Sequence, residues 1–309
     1  MKVLITGGAG LIGSNVVRHF VNLGFEVHVV DNLWRGRIEN LHHNGREIID
    51  LKTQFYQYDL RNYENCINVC KDMDMVIHLA DIVAGINYVF CNELFLYRAN
   101  IVMNSNMLDA AIQNKVQKYI YVGTACSYPK ELQSELNPPA FKEEDVYPAS
   151  PESAYGWSKL MGEYECELAQ NEGVIDVGIL RLHNVYGPPC EMSPEKSQVI
   201  PALCRKAINH PEEDFIVWGS GNQRRAFLYV DDAVDAIVAT LDKGMNNGVI
   251  QIGPGKSYSI ADIAERIVRL SGKDIDIKYD LTKPEGDKDR TADSTKAKKI
   301  LGCEQKVSL

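Results

Sequence analysis

The stretch Met1-Lys2-Val3-Leu4-Ile5-Thr6-Gly7-Gly8-Ala9-Gly10-Leu11-Ile12-Gly13-Ser14 decides the fold of this chain. A run of β-formers, Lys2–Thr6, ends in glycines at the GxxGxxG spacing of Gly7, Gly10 and Gly13. Gly7 permits a tight turn, Gly10 lets the backbone approach a pyrophosphate, and Gly13 lets the next helix pack closely on the strand. A helix opening near Leu11 offers the free N–H groups of Leu11 and Ile12 and its positive dipole end to that anion. A glycine run alone is a weak signal. Here a second strand, Glu26-Val27-His28-Val29-Val30, ends in Asp31, 18 residues after Gly13. That is the strand–turn–helix–strand setting a dinucleotide site requires. Asp31 is placed to accept the adenosine ribose hydroxyls and to repel a 2′-phosphate, so NAD is expected over NADP. Arg35 and Arg37 read as a solvated loop.

Working outward, short β-rich runs alternate with helical patterns. Strands are expected at Lys2–Thr6, Val27–Asp31, Thr53–Tyr58, Met75–Leu79, Tyr119–Val122 and Val177–Leu182. Helices are expected at Ser14–Leu23, Asn100–Gln113 and Ser153–Gln170. Val27–Val30 and Val76–Leu79 are nearly all apolar, as in parallel strands covered on both faces. The alternation predicts an α/β, doubly wound parallel sheet of the Rossmann type. Beyond about Tyr186 the pattern loosens, broken by Pro188, Pro189, Pro194, Pro201 and Pro211, with helices at Asp231–Leu241 and Ile260–Ser271. The expected organisation is therefore an NAD-binding domain over residues 1–186 and a smaller, interwoven substrate lobe over 187–309.

Composition narrows the function classes. A chain of 309 residues, 45% hydrophobic and 24% charged, is an ordinary globular protein. Its formal net charge of −9 argues against nucleic-acid binding, which draws on clustered Lys and Arg. No apolar run approaches the ~20 residues of a membrane span, and the opening stretch is too short and Gly-broken for a signal peptide. Eight cysteines form no CxxC pair and have no zinc-ligand rhythm beside them. No metal is expected. Free thiols in the cytoplasm, most of them small core residues, are the expected state.

Tyr155-Gly156-Trp157-Ser158-Lys159 puts a phenol and an ammonium four residues apart on one helical face. A nearby Lys⁺ and a nicotinamide charge would favour phenolate, lowering the tyrosine pKa from ~10 towards neutrality. Such a tyrosine can take a proton from a sugar hydroxyl as hydride leaves its carbon. YxxxK alone occurs often by chance. After a nucleotide-binding half, and with Thr124 ending a predicted strand, it is much more specific.

With these motifs the chain resembles the extended short-chain dehydrogenase/reductase family over nearly its whole length. The matching residues are TGGAGLIGS at 6–14, DNL at 31–33, Asp59 in YDLR, HLA at 78–80, Asn100, Thr124, YGWSK at 155–159 and RLHNVYGP at 181–188. The resemblance implies Thr124, Tyr155 and Lys159 as catalytic residues. It implies a cofactor cleft of Gly7, Gly10, Leu11, Ile12, Gly13, Asp31, Asn32, Asp59, Leu60, Leu79, Ala80, Asn100, Tyr155 and Lys159. The substrate implied is a nucleotide-diphosphate sugar, held by Thr124, Cys126, Asn184, Arg225 and Arg290, with the two arginines clamping the diphosphate.

Within the family the likeness is strongest to the GDP-mannose 3,5-epimerase branch, carried by Gly123–Pro129, Arg181–Pro188 and Pro194-Glu195-Lys196. That likeness implies Cys126 and Lys196 as an acid/base pair acting on sugar carbon. The segment Ala80–Gly85 matches that branch's sugar loop only loosely, and Asn32–Gly36 looks more like UDP-sugar enzymes. The chain ends at Lys306-Val307-Ser308-Leu309, about where relatives begin a last helix, so either the sequence is shortened or that element is missing.

Three readings stay open: a redox-neutral 3,5-epimerase, a 4-epimerase or net C4 oxidoreductase, and a non-catalytic NAD-binding protein. A homodimer is expected, because the helices at Asn100–Gln113 and Ser153–Gln170 carry more apolar positions than one sheet face needs. Relatives pair these two helices across a two-fold axis.

Overall fold

Strand β1 (Lys2–Thr6) is an interior strand of a seven-stranded sheet. With β2 (Glu26–Val30), β3 (Phe55–Tyr56), β4 (Met75–His78), β5 (Lys118–Thr124), β6 (Asp176–Leu182) and β7 (Val249–Ile252), the spatial order is β7-β6-β5-β4-β1-β2-β3. Every neighbouring pair is parallel. The order reverses between β1 and β4, the switch point at which doubly wound sheets bind their ligands. This computed structural model describes residues 1–309.

Side-chain alternation along the strands builds two cores. Val3, Ile5, Val27 and Val29 face helix α1 (Leu11–Asn22), meeting its Val16, Val17 and Phe20. Leu4, Val76, Tyr119 and Tyr121 face the other way, onto Cys66 and Val69 of α2 (Tyr63–Cys70). After α3 (Ile86–Cys91), that core continues with Met107 and Ala111 of α4 (Glu93–Gln113) and Cys166 of α5 (Ala154–Glu172). Helix α5 starts where the Ser153 hydroxyl accepts from Gly156 N and stops at Gly173, whose φ of 66° favours a residue without Cβ.

The second half of the chain is threaded through the first. Helix α6 (Val199–Asn209) belongs to a smaller lobe, but α7 (Val230–Ala239) packs on α1, and β7 then completes the large sheet. Helix α8 (Ile260–Ser271) returns to the smaller lobe, where Ile263 and Ala264 pack with Leu203, Phe215, Val217 and Phe227. Helix α9 (Thr295–Leu301) closes the chain against the first core through Ala297 and Leu301. No helix is long and apolar enough to cross a membrane.

Several elements differ from the sequence expectation. Helix α4 begins at Glu93 rather than Asn100, because its first turns mix the exposed Leu94, Phe95 and Tyr97 with the buried Leu96 and carry no clear periodicity. Helix α6 passes unseen in the sequence because Pro201 reads as a breaker. Pro201 is instead the third helical residue, where the backbone N–H has no intrahelical partner to lose. Of the eight free thiols only Cys66, Cys70 and Cys166 are buried, so most are not core residues as expected; Cys91 and Cys190 are exposed.

Candidate active site

The carboxyl ends of the strands open into a cleft of about 1090 Å³ that reaches from the glycine loop to the smaller lobe. The loop's three glycines have distinct surroundings. Gly7 has φ +67°, and a Cβ there would stand 2.9 Å from Ala80 Cα. A Cβ on Gly13 would stand 2.2 Å from Gly7 O, so α1 sits directly on the loop backbone. At Gly10 the nearest atom to an added Cβ is Gly7 O at 3.2 Å, and Gly10 lines the cleft. Gly10 also precedes α1 without a side-chain cap, leaving the first-turn N–H groups of Leu11 and Ile12 to a ligand.

The far wall of this end is Asp31. Its Oδ2 accepts from Ala9 N at 3.0 Å and its Oδ1 from Leu33 N at 2.8 Å. Burial raises its pKa, partly offset by those two donors. Asn32, Asp59, Leu60, Leu79 and Ala80 line the same region. Asp59 is gripped by Arg61, whose Nε is 3.0 Å from both carboxylate oxygens and which holds the Asp59 pKa down. The floor is fixed by Thr6, whose hydroxyl accepts from Leu79 N (3.1 Å) and Ala80 N (3.0 Å) and donates to His78 Nδ1 at 2.9 Å. Burial lowers the His78 pKa to about 4, so the ring is neutral.

Helix α5 carries the phenol and the ammonium to the middle of the cleft. Tyr155 Oη donates to Asp81 Oδ2 at 2.9 Å, and Lys159 Nζ stands 3.4 Å from that same oxygen. Lys159 also donates to Val122 O at 2.8 Å. Thr124 ends β5 with its Oγ1 accepting from Cys126 N at 3.3 Å. A Cβ on Gly156 would stand 2.2 Å from Cys126 O, so the glycine after Tyr155 lets α5 press onto the strand end that bears Cys126. The Tyr155 pKa is raised well above 10, by burial first and by the Asp81 charge second. The Tyr–Lys spacing predicts the opposite direction. Burial and Asp81 both disfavour phenolate, and the Lys159 charge is shared with Asp81.

At the other end two arginines converge. Arg290 is buried; its Nη2 lies 3.3 Å from Cys126 Sγ and 3.4 Å from Asn184 Oδ1, and its Nη1 donates to Gln133 Oε1 and Asp287 Oδ2. Its Nε is buried with no partner, a donor left for an anion. Arg225 Nη1 donates to the carbonyls of Arg224 and Asp287, and burial together with the Arg290 charge lowers its pKa to about 10. Glu152 completes the group. Burial and the Asp287 carboxylate raise its pKa to about 7.

This geometry has close counterparts. A family model described as the NAD dependent epimerase/dehydratase family matches residues 3–253. The chain belongs to that family. GDP-mannose 3,5-epimerase of Arabidopsis thaliana is 31% identical over 302 residues, covering 98% of this chain and 77% of the relative. The structure of UDP-glucose 4-epimerase from Thermotoga maritima with UDP-glucose superposes with a TM-score of 0.86 at 28% identity, covering 100% of this chain and 94% of that one. UDP-glucuronic acid 4-epimerase from Bacillus cereus, in complex with UDP-glucuronic acid and NAD, gives 0.83 at 27% identity, covering 100% and 95%.

As a member of the epimerase/dehydratase family this chain is an NAD-dependent enzyme. Its residues fit the cofactor: an open approach at Gly10, an uncapped helix start and a carboxylate at Asp31 line one continuous wall. Gly7, Gly10 to Gly13, Asp31, Asn32, Asp59, Leu60, Leu79, Ala80, Thr124, Cys126, Tyr155, Lys159, Asn184, Arg225 and Arg290 all line the one cleft.

Two expected site residues of the family do not. Asn100 is fully buried behind the cleft, its amide accepting from Ile82 N at 2.8 Å and donating to Ile82 O at 3.1 Å, so it holds the loop after β4. Lys196 donates to Trp34 O at 2.5 Å and lies 4.7 Å from the Trp34 ring centroid, off the cleft wall and not beside Cys126. Arg35 and Arg37 are not merely solvated: Arg35 donates to Val83 O at 3.1 Å, and Arg37 pairs with Glu191 at 3.3 Å. Asp81, Glu152 and Asp287 escaped the sequence reading. Only Asp81 left a signal there, as a charge directly after the apolar end of a buried strand.

Proposed function

We propose that this enzyme is an epimerase of nucleotide-diphosphate sugars that oxidises its substrate transiently at C4, inverts C3 or C5, and reduces C4 again, with a GDP-hexose such as GDP-mannose as substrate. The observation that carries the reading is Cys126: its thiol is half-buried in the cleft, two residues beyond Thr124, next to Arg290. NAD, when bound, supplies the acceptor for the C4 hydride and returns it. Tyr155 moves the proton of the C4 hydroxyl, Lys159 is its electrostatic partner, and Thr124 hydrogen-bonds the sugar oxygen. Once C4 is a ketone, the hydrogens at C3 and C5 are acidic. A thiolate beside a guanidinium is a competent base for them. Arg225 and Arg290 hold the diphosphate, with the unpartnered Arg290 Nε as the free donor.

A second reading has its own support. Lys196, the expected acid on the opposite face of the sugar, is engaged with Trp34. An enzyme confined to C4, either a 4-epimerase or a net oxidoreductase, needs neither Lys196 nor a basic Cys126.

The same reading includes a cytoplasmic homodimer, with residues 1–186 as the cofactor domain and a substrate lobe within 187–309 that is interwoven with it. All eight thiols are free, which supports the compartment. Exposed Phe95, Val102, Tyr164 and Leu168 on α4 and α5 support the pairing.

The test is incubation with GDP-, UDP-, CDP- and dTDP-sugars in D₂O, with products identified by NMR. Deuterium at C3 or C5 of a GDP-sugar without NADH accumulation is the expected result. Turnover with no exchange at C3 or C5 makes the enzyme C4-only, and stoichiometric NADH makes it an oxidoreductase.

A further inference from the structure

The loop after β4 brings a carboxylate to the middle of the cleft. Asp81 Oδ2 accepts from Tyr155 Oη at 2.9 Å and stands 3.4 Å from Lys159 Nζ. The Lys159 side chain is only 3% exposed and that of Asp81 19%, so water screens this ion pair little. The position is held from behind: Asn100 clamps Ile82, the next residue, through both of its backbone groups. His78, at the end of β4, senses both charges, but burial lowers its pKa to about 4 and leaves the ring neutral. Lys159 and Asp81 both line the cleft, and Asp81 is the counter-ion of Lys159. Hydride transfer limits how far this pair can stand from the nicotinamide ring. The ring must come to about 3–3.5 Å from the carbinol carbon, whose oxygen must lie within about 3.2 Å of Tyr155 Oη. Asp81 is one hydrogen bond beyond Tyr155. Its carboxylate therefore lies within about 11 Å of the ring however the sugar is seated.

We propose that Asp81 sets the redox poise of the bound cofactor: its carboxylate offsets the Lys159 charge and shifts binding towards NAD⁺, whose nicotinamide ring is a cation, and away from NADH, whose ring is neutral. The inference rests on the reading of Tyr155 as the group that moves the C4 hydroxyl proton, since that reading brings the ring to this part of the cleft. Without Asp81, the buried Lys159 charge is left uncompensated and repels the cationic ring, with no such effect on the neutral one. A unit charge acting across about 11 Å at an effective dielectric constant of about 20 changes the ratio of the two affinities roughly tenfold. For a two-electron couple that factor is about 30 mV of midpoint potential. The direction suits an enzyme that returns its hydride. The cofactor rests oxidised between turnovers, and a 4-keto sugar is reduced rather than left beside NADH.

The test needs no sugar. Holoenzyme is equilibrated with mixtures of NAD⁺ and NADH and separated by gel filtration, and the redox state of the extracted cofactor is read from its near-ultraviolet absorbance. At the same mixture, Asp81→Asn is expected to hold about tenfold less NAD⁺ relative to NADH than the native protein, a rise of about 30 mV in the potential of the bound couple. Asp81→Ala, a second neutral replacement, is expected to shift the ratio the same way, and Asp81→Glu, which keeps the charge, to restore most of it. ADP-ribose, which lacks the ring, is expected to compete with NADH equally well in the native protein and in Asp81→Asn, because neither ligand carries a ring charge. An unchanged NAD⁺/NADH ratio in both neutral variants overturns the proposal. So does a ratio matched by an equal shift of NADH against ADP-ribose, which makes Asp81 a packing residue of the ring pocket. Both outcomes leave the epimerase reading standing, since no sugar is present. Full turnover in Tyr155→Phe instead overturns the reading that brings the ring beside Asp81.

Discussion

Arg290 Nη2 lies 3.3 Å from Cys126 Sγ, joining a residue just after β5 to one that is 164 positions later in the chain. That contact sets a fixed cationic donor against the sulfur that the proposed reading uses on sugar carbon. Replacing Arg290 by Met is expected to slow alkylation of Cys126 by iodoacetamide, because the guanidinium no longer faces the sulfur. The exposed Cys91 and Cys190 serve as internal references in peptide mass spectra. Equal labelling of Cys126 in both proteins would show that the contact does not tune the thiol.

Tyr155→Phe should lower turnover about 10²–10⁴-fold, the usual range for a lost acid–base group. NAD affinity, measured by fluorescence titration, should change little, because the glycine loop and Asp31 stand apart from Tyr155 on the cleft wall. A variant that turns over at the native rate removes Tyr155 from the reaction.

The three loop glycines should fail differently. Gly13→Ala must push α1 off the Gly7 carbonyl and is expected to cost about 1–3 kcal/mol of stability, as overpacking does. Gly10→Ala, whose Cβ would stand 3.2 Å from Gly7 O against 2.2 Å for Gly13→Ala, should destabilise less and lose NAD. Asp31→Ala should weaken NAD while relaxing discrimination against NADP. Tighter binding of NADP than NAD by the native protein would contradict the role given to Asp31.

Glu152 predicts a pH effect whose sign is set by its raised pKa of about 7. The folded state holds this proton more tightly than the unfolded chain does. Stability from this group is therefore present below the unfolded value and lost as pH rises through about 7. The bare carboxylate beside Arg225 and Arg290 also competes with a diphosphate. Nucleotide-sugar affinity, read by calorimetry between pH 5.5 and 8.5, is expected to fall with rising pH, and Glu152→Gln is expected to flatten the curve. A slope that survives in Glu152→Gln assigns the effect to another group.

Leu168 on α5 is 43% exposed and Phe95 on α4 is 45% exposed, which leaves two large apolar side chains in solvent on adjacent helices. Light scattering at micromolar concentration should give the mass of a dimer, and Leu168→Asp with Phe95→Asp should halve it. A monomeric mass for the native protein would remove the expected two-fold pairing of α4 and α5.

The cofactor half of this protein was legible in the sequence by itself. The glycine spacing, Asp31 at a strand end and the alternation of β-runs with helices are local features, and local sterics translate them directly into a strand, a tight turn and an open helix start. Tyr155 and Lys159 were legible for the same reason, since four residues on one helix are neighbours whatever the rest of the chain does. Only the tertiary structure decided what surrounds them. The Asp81 carboxylate reaches Tyr155 because β4 and α5 are brought together by the sheet, and Arg290 reaches Cys126 through the return of the chain to the cleft after α8. Burial, with the Asp81 charge second, reverses the direction expected for the Tyr155 pKa, and Lys196 lies at Trp34 instead of at the sugar end. Charge–charge distance across separate elements has no periodicity in the sequence. Burial, which fixes how strongly such charges act, is a property of the packed whole.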